Sequence, residues 1–177
     1  MNELRSGWKA AAVGYTIGLV AGSFVGILPD SSFFNLLSLF GAVYYLYGLW
    51  RVSKASQRQE IFTLNLWATL IQLMSIILLG VALGLSGAEG SGFRLSAGIL
   101  LAGLLVYAGL VYASYLEMRG LTALAEVGGV PLIGRGARWI FVGALLFPVL
   151  VGLLVALVGY LMVAVGLWQG PKAESNA

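Results

Sequence analysis

Three polar side chains recur at helical spacing inside an otherwise apolar stretch. Asn65, Thr69 and Gln72 are spaced i, i+4 and i+7, which puts them on one face of a helix. Polar side chains in lipid turn towards the interior of a helix bundle, where they find hydrogen-bond partners. We therefore predict that these residues form a polar intramembrane face. That face either bonds neighbouring helices or lines one wall of a path for a polar solute.

Tyrosines are a second group of polar side chains, concentrated in the second and fourth apolar stretches. They are Tyr44, Tyr45, Tyr47, Tyr107, Tyr112 and Tyr115. Interface anchoring accounts for several of them, and a tyrosine-lined cavity near the inner leaflet is the functional alternative. The nearest acidic residue, Glu117, stands at the edge of the fourth stretch, where Arg51, Arg119 or Arg138 could pair with it. Proton-coupled pumps usually hold a carboxylate deep in the membrane, so this position argues against them and favours a neutral or weakly polar solute.

Most catalytic and metal chemistry is excluded by composition. The chain has no cysteine and no histidine, so ordinary haem or copper ligation and a Ser-His-Asp triad are absent. No phosphate-binding glycine loop, GxSxG or HExxH motif occurs. A membrane enzyme would have to use Glu117 or tyrosine and arginine groups at the interface. We therefore expect a protein that is not an enzyme, with no catalytic residue, metal or cofactor.

The first apolar stretch carries a glycine at every fourth position. These residues are Gly14, Gly18, Gly22 and Gly26. In a helix they form a groove without side chains, against which another backbone packs closely. The partner is either a helix of the same chain or a helix of a second copy or another subunit. Weaker pairs, which we interpret as internal packing, are Gly80 with Gly84 and Gly109 with Ala113.

The elements that position these residues are membrane helices. Of the 177 residues 60% are apolar and 10% are charged, against about 25% charged in soluble domains. Apolar runs without a charged residue cover 10–28, 33–50, 61–85, 97–116 and 139–168, and the predicted spans follow them, the fourth extending to 117. Each is near the 20 or so residues that cross a bilayer. The sequence thus predicts an all-α, polytopic transmembrane helical bundle, a single domain over 1–170, with a disordered polar tail at 171–177.

The fifth run is longer than one span requires. Thirty residues would extend about 45 Å as a helix, and Pro148 lies inside it. No polar turn residues accompany the proline, which favours one long, tilted helix kinked at Pro148 and hence five spans. The alternative is a hairpin turning back near Pro148 or Gly152, which gives six spans.

Basic residues divide unequally between the two sides of the predicted bundle. With five spans, one side receives Arg5, Lys9, Arg51, Lys54, Arg58, Arg119, Arg135 and Arg138, and the other receives Arg94 and Lys172. The positive-inside rule then places the N-terminus in the cytoplasm, in a prokaryotic plasma membrane, and the C-terminus outside. Residues of the short loops on this side are expected to snorkel or to contact anionic headgroups or a partner protein. They are Arg51, Lys54, Arg58, Arg119, Arg135 and Arg138. The net charge of +3 is explained by this asymmetry, so we expect no nucleic-acid partner.

A weak internal repeat links the two connections on the basic side. At an offset of 72 residues, Leu49 matches Leu121, Ile61 matches Ile133 and Trp67 matches Trp139. The second connection continues the fourth run as a helix, which Gly128–Gly129 and Pro131 should end. Because both copies have the same orientation, the repeat differs from that of inverted-repeat transporters.

The order of elements resembles a prokaryotic family of integral membrane proteins catalogued as a domain of unknown function (nine-nine-six). The resemblance covers about 36–168. The positions that carry it are 36–41, 47–49, 61–65, Tyr115, Leu121, 124–126, Gly128, 132–133 and 143–146. Gly134 departs from the more apolar or aromatic pattern of that family. The resemblance implies a multi-span helical fold and no particular activity.

Two functions follow from these patterns. The favoured one is a non-catalytic membrane module that self-associates, or joins a larger membrane complex as an accessory subunit, through its glycine-zipper helix. The alternative is a small channel or transporter for a neutral or weakly polar solute, lined by Asn65, Thr69 and Gln72.

Overall fold

The described part of the chain folds into six α-helices. A computed structural model describes residues 2–27, 32–87, 97–149 and 151–171. The helices are α1 (Asn2–Ile27), α2 (Ser32–Ser56), α3 (Glu60–Gly87), α4 (Ala97–Gly128), α5 (Pro131–Leu145) and α6 (Val151–Gln169), with a 3₁₀ turn at Phe147–Val149 between the last two. Within the described residues the architecture is all-helical, as predicted. The loop around 88–96 and the tail after Pro171 lie outside them.

The helices form three antiparallel hairpins, α1–α2, α3–α4 and α5–α6. Each helix packs against the next one in the chain, and α6 returns to pack against α1. One end of the bundle holds the start of α1, the α2–α3 turn, the α4–α5 turn and the end of α6. We call it the basic end because the basic connections lie there, and the opposite end the far end.

Close backbone packing holds the α1–α2 hairpin together. A side chain at Gly14 would overlap the backbone of Tyr45, and one at Gly48 would overlap the backbone of Ala11. Gly41 packs in the same way on Gly18. The glycine face of α1 is therefore covered by α2 of the same chain along this stretch.

The other glycines of the predicted packing sites differ in what surrounds them. Gly22 is exposed beside Ser38, and the surroundings of Gly26 lie outside the described residues. Gly109 packs on Ser75 of α3, which agrees with internal packing. Gly80 and Gly84 have no described residue within 4 Å of an added Cβ, so the prediction that this pair packs internally is wrong for the described part of the fold.

The fifth apolar run is a hairpin and not one kinked helix. Helix α5 ends at Leu145, α6 begins at Val151, and the two pack antiparallel. Gly143 contacts Ala156 and Gly159 contacts Ile140, so a side chain at either glycine would overlap the facing helix. The prediction of a single helix across Pro148 is wrong, and the hairpin alternative holds.

The turn between α5 and α6 is apolar, which is why the sequence there lacks the polar residues that usually mark a turn. At 1.5 Å per residue, the 15 residues of α5 reach about 22 Å from the basic end, short of a bilayer core of about 30 Å. Polar turn residues would be costly at that depth, and Leu146, Phe147 and Val149 are exposed there instead. The Tyr107 hydroxyl donates to the Leu145 carbonyl at 2.8 Å, which satisfies a backbone group that α5 leaves unpaired.

The hairpin also changes the expected topology. Within the described residues, four helices are long and apolar enough to cross a membrane, namely Ser32–Ser56, Glu60–Ala82, Gly98–Gly128 and Val151–Gln169. These are the helices of a multi-pass membrane protein, but a count of five spans is not confirmed. Since α6 runs back towards the basic end, Pro171 lies at the same end as the start of α1. The prediction that the C-terminus emerges opposite the N-terminus is therefore wrong for this fold.

The internal repeat reappears in backbone geometry. After α2, the backbone amides of Arg58 and Gln57 donate to the carbonyls of Ser53 and Lys54, respectively. After α4, the amides of Val130 and Gly129 donate to the carbonyls of Ala125 and Glu126 in the same way. Both are the paired 6→1 and 5→2 bonds of a Schellman motif. Its left-handed position is Gln57 (φ 56°) in one copy and Gly129 (φ 63°) in the other, 72 residues apart. Gly128–Gly129 and Pro131 end α4 as predicted, with Pro131 in the first turn of α5.

The core lies at the basic end. Leu49, Ile61, Leu121 and Ile133, which form two of the matched pairs of the repeat, are fully buried in it. Trp8 is 1% exposed at its centre, rests on Gly128 and donates its indole N–H to the Leu167 carbonyl at 2.7 Å. This residue of α1 therefore ties α1, α4 and α6 together.

Candidate functional site

A cavity of about 560 Å³ opens between the helices. Residues of α1, α2, α3, α4 and α6 line it. The packed core closes it at the basic end. Its lining extends towards the far end as far as Gly22 and Ser23, which are exposed. Among the described residues, the cavity is therefore a pocket within the bundle that opens towards the far end.

Helix α3 supplies the polar wall that its spacing predicts. Asn65, Thr69 and Gln72 all line the cavity. The Asn65 side chain is buried, donates to the Ile61 carbonyl at 2.7 Å and accepts from the Tyr45 hydroxyl at 3.3 Å. Thr69 donates to the Asn65 carbonyl at 2.9 Å. Part of each side chain's hydrogen-bonding capacity is thus used to hold the wall in place, and the remainder is available to a solute.

Three tyrosines stand around the cavity, but only one belongs to the set predicted from the sequence. Tyr45 lines it together with Tyr15 of α1 and Tyr160 of α6. The Tyr15 ring centre lies 5.3 Å from that of Tyr45, edge-on, and 6.5 Å from that of Tyr160. The signal that could have identified Tyr15 and Tyr160 is their place next to Gly14 and Gly159 on packed helix faces.

The remaining predicted tyrosines lie outside the cavity. Tyr44 and Tyr47 belong to a ladder of stacked rings on α2 that ends at Trp50. Tyr107 supports the α5 turn, as described above. Tyr112 and Tyr115 border a shallower hollow between α4 and α5. Their roles are structural or peripheral to the polar cavity.

Glu117 is the residue that sequence reasoning misplaced. The apolar run stops at this charge, but α4 continues for eleven more residues to Gly128, about 16 Å further. Glu117 therefore lies well inside α4, is partly buried and lines the cavity. Its carboxylate accepts a hydrogen bond from the Gln72 amide at 3.4 Å, and the ion pairs between described residues do not include it. The arginine partner that the sequence suggested is absent from those pairs, so a partly buried carboxylate faces the cavity.

The predicted basic surface is only partly available to a lipid or a partner. Arg58 pairs with Glu60 at 2.6 Å and with Glu126 at 2.7 Å, which joins the two repeated turns. Hydrogen bonds to the Glu126 and Glu60 carboxylates raise the pKa of the Arg58 guanidinium. Lys54 lies 4.1 Å from the Trp50 ring centre and Arg51 lies 6.0 Å from that of Tyr47.

Three further basic residues of the α4–α5 side remain exposed. They are Arg119, Arg135 and Arg138. Nothing in the described contacts ties them to an acidic side chain, so headgroup contact stays a prediction for these three and for Lys54.

The arrangement can bind and orient a small molecule. It combines one carboxylate, amide and hydroxyl groups, three aromatic rings and an apolar rim. A cavity of this size falls within the range of about 300–1,000 Å³ that holds small ligands. Among the described residues, no three acidic side chains converge as a metal site would require.

Comparison with known proteins gives a family and no characterised relative. No curated protein and no solved structure matches the chain. The sequence model of a family described as a protein of unknown function (DUF996) matches residues 37–161, which runs from α2 into α6 and includes Glu117 and the α3 wall. This match confirms the resemblance found in the sequence, and the chain belongs to the DUF996 family.

Proposed function

We propose that the protein is a small transporter or channel that takes a solute into the cavity between its helices. The observation that supports this proposal most strongly is that polar side chains from five different helices line one pocket inside an otherwise apolar bundle. Polar groups at membrane depth are costly and mark solute pathways. The closed basic end and accessible far end fit one state of a protein that alternates between two openings.

Self-association through the glycine stripe stays a prediction from the sequence. Gly14 and Gly18 face α2 of the same chain, so an assembly through α1 would have to use the exposed Gly22. No contact in the described part of the fold favours an accessory-subunit role over solute binding. The prokaryotic plasma membrane and a cytoplasmic basic end are part of the proposal, supported by the distribution of lysine and arginine.

The test uses single cysteines in a chain that has none of its own. Thr69→Cys places a thiol on the cavity wall, and Met74→Cys places one on the outer face of the same helix, where the side chain is exposed. A water-soluble thiol reagent is added to right-side-out and to inside-out vesicles. Ala55→Cys at the exposed end of α2 serves as the positive control.

Transport requires that the cavity be reached from both sides. We expect Thr69→Cys to react rapidly from the far side and more slowly from the basic side, where the core must open first. Met74→Cys should stay unreactive because lipid covers it. Reaction of Thr69→Cys from one side only, or from neither, would contradict transport.

A further inference from the structure

The described lining of the cavity holds one formal charge and no cation to balance it. Among its described lining residues Glu117 is the only carboxylic acid, and no lysine or arginine occurs. The partner of the carboxylate is the neutral amide of Gln72. A carboxylate held away from bulk water is costly unless a positive charge and hydrogen bonds compensate it.

Aromatic rings surround the same space. Tyr15, Tyr45 and Tyr160 all lie within electrostatic reach of the Glu117 carboxylate. The faces of such rings attract a cation within about 6 Å, and sets of them recognise quaternary ammonium groups. Tyr15 is 8% exposed, and its hydroxyl has no hydrogen-bond partner among the described residues. A buried hydroxyl of this kind is normally paired, so it is available to a ligand.

We infer that the solute is an organic ammonium cation, with its charged group between Glu117 and the three tyrosines. This inference rests on the proposed transport function. The volume of about 560 Å³ greatly exceeds that of one inorganic ion and suits a cation that carries carbon substituents. Leu19, Leu153 and Leu157 of the lining provide apolar surface for those substituents. With a neutral solute, which the sequence favoured, the carboxyl group would have to take up a proton to avoid an uncompensated charge.

The test measures charge preference at Thr69→Cys with two methanethiosulfonate reagents of similar size. One reagent ends in a trimethylammonium group and the other in a sulfonate. The rate of each reagent with Thr69→Cys is divided by the rate of the same reagent with mercaptoethanol in solution, which removes the difference in their intrinsic reactivity. We expect the normalised rate of the cationic reagent to be at least about tenfold higher, because the Glu117 carboxylate attracts the cation and repels the sulfonate in a site of low dielectric constant. Glu117→Gln should bring the normalised ratio close to one, and Glu117→Asp should keep the preference.

A second measurement separates an organic cation from an inorganic one. Tetraethylammonium should slow modification of Thr69→Cys by the cationic reagent, while sodium at the same ionic strength should not. Tyr160→Leu should lose this protection but keep the charge preference, since the carboxylate remains. Equal protection by sodium would overturn the organic-cation assignment.

The outcomes for the two proposals differ. If Thr69→Cys reacts from both sides with equal normalised rates for both reagents, transport stands and the cation inference fails. A preference that persists in Glu117→Gln would also overturn it. If Thr69→Cys does not react at all, the proposed function itself fails.

Discussion

Replacing Gln57 by glycine should stabilise the protein. Gln57 occupies the left-handed position of the Schellman motif after α2, with φ 56°, where side chains other than glycine cost roughly 1–2 kcal/mol. Glycine removes that cost but adds about 0.4–1 kcal/mol of backbone entropy to the unfolded chain. The free energy of unfolding should therefore rise by about 0.5–1 kcal/mol. The Gln57 side chain is exposed, so little packing is lost to offset this gain.

The second copy of the turn provides the opposite change in the same molecule. Gly129→Gln puts a side chain at φ 63° and should lower the free energy of unfolding by about 0.5–1 kcal/mol. Gln57→Ala is the control, because it shortens the side chain but keeps the strained backbone, and should change stability little. Reversible unfolding in mixed micelles, followed by tryptophan fluorescence, measures all three. If Gln57→Gly and Gly129→Gln shift stability in the same direction, the left-handed strain is not what distinguishes the two turns.

Three further predictions follow from the packing. Gly48→Leu should destabilise the α1–α2 hairpin by about 1–3 kcal/mol or more because the side chain would overlap α1. Gly80→Leu should be tolerated. The temperatures at which the two variants aggregate in detergent compare their stabilities. Trp8→Ala should lower the free energy of unfolding by about 3–5 kcal/mol. Gly128→Ala should cost much less in the Trp8→Ala background than alone, since the three atoms nearest the added methyl all belong to the indole. A double-mutant cycle in which the two effects are additive would contradict this contact. Reporter fusions at the two chain ends should fall on the same side of the membrane, and reporters on opposite sides would rule out the α5–α6 hairpin.

Sequence periodicity predicted those features that depend on one helix. The i, i+4, i+7 spacing of Asn65, Thr69 and Gln72 was enough to place them on one wall. The end of α4 was also predictable, because Gly129 and Pro131 act through local backbone geometry.

Features that depend on the neighbours of a helix were not predictable in this way. The turn after Leu145 is apolar because it lies within the depth of the membrane, so it has none of the polar residues by which turns are recognised. Glu117 was assigned to an edge because the first charge ends a hydropathy run, although the helix beneath it continues. Whether Tyr15 and Tyr160 meet depends on the return of α6 to α1, which no local pattern encodes.

The 72-residue repeat has a consequence for the origin of the cavity. Two turns with the same bonds and the same orientation are what the duplication of an ancestral helix pair would leave behind. Under that offset Tyr45 and Glu117 are equivalent positions, and both line the cavity. In an ancestor built from two identical copies, the same side chain would have faced itself across a pseudo-twofold axis. A glutamate at that position would have set two like charges against each other, whereas divergence to tyrosine in one half leaves a single carboxylate facing an aromatic ring.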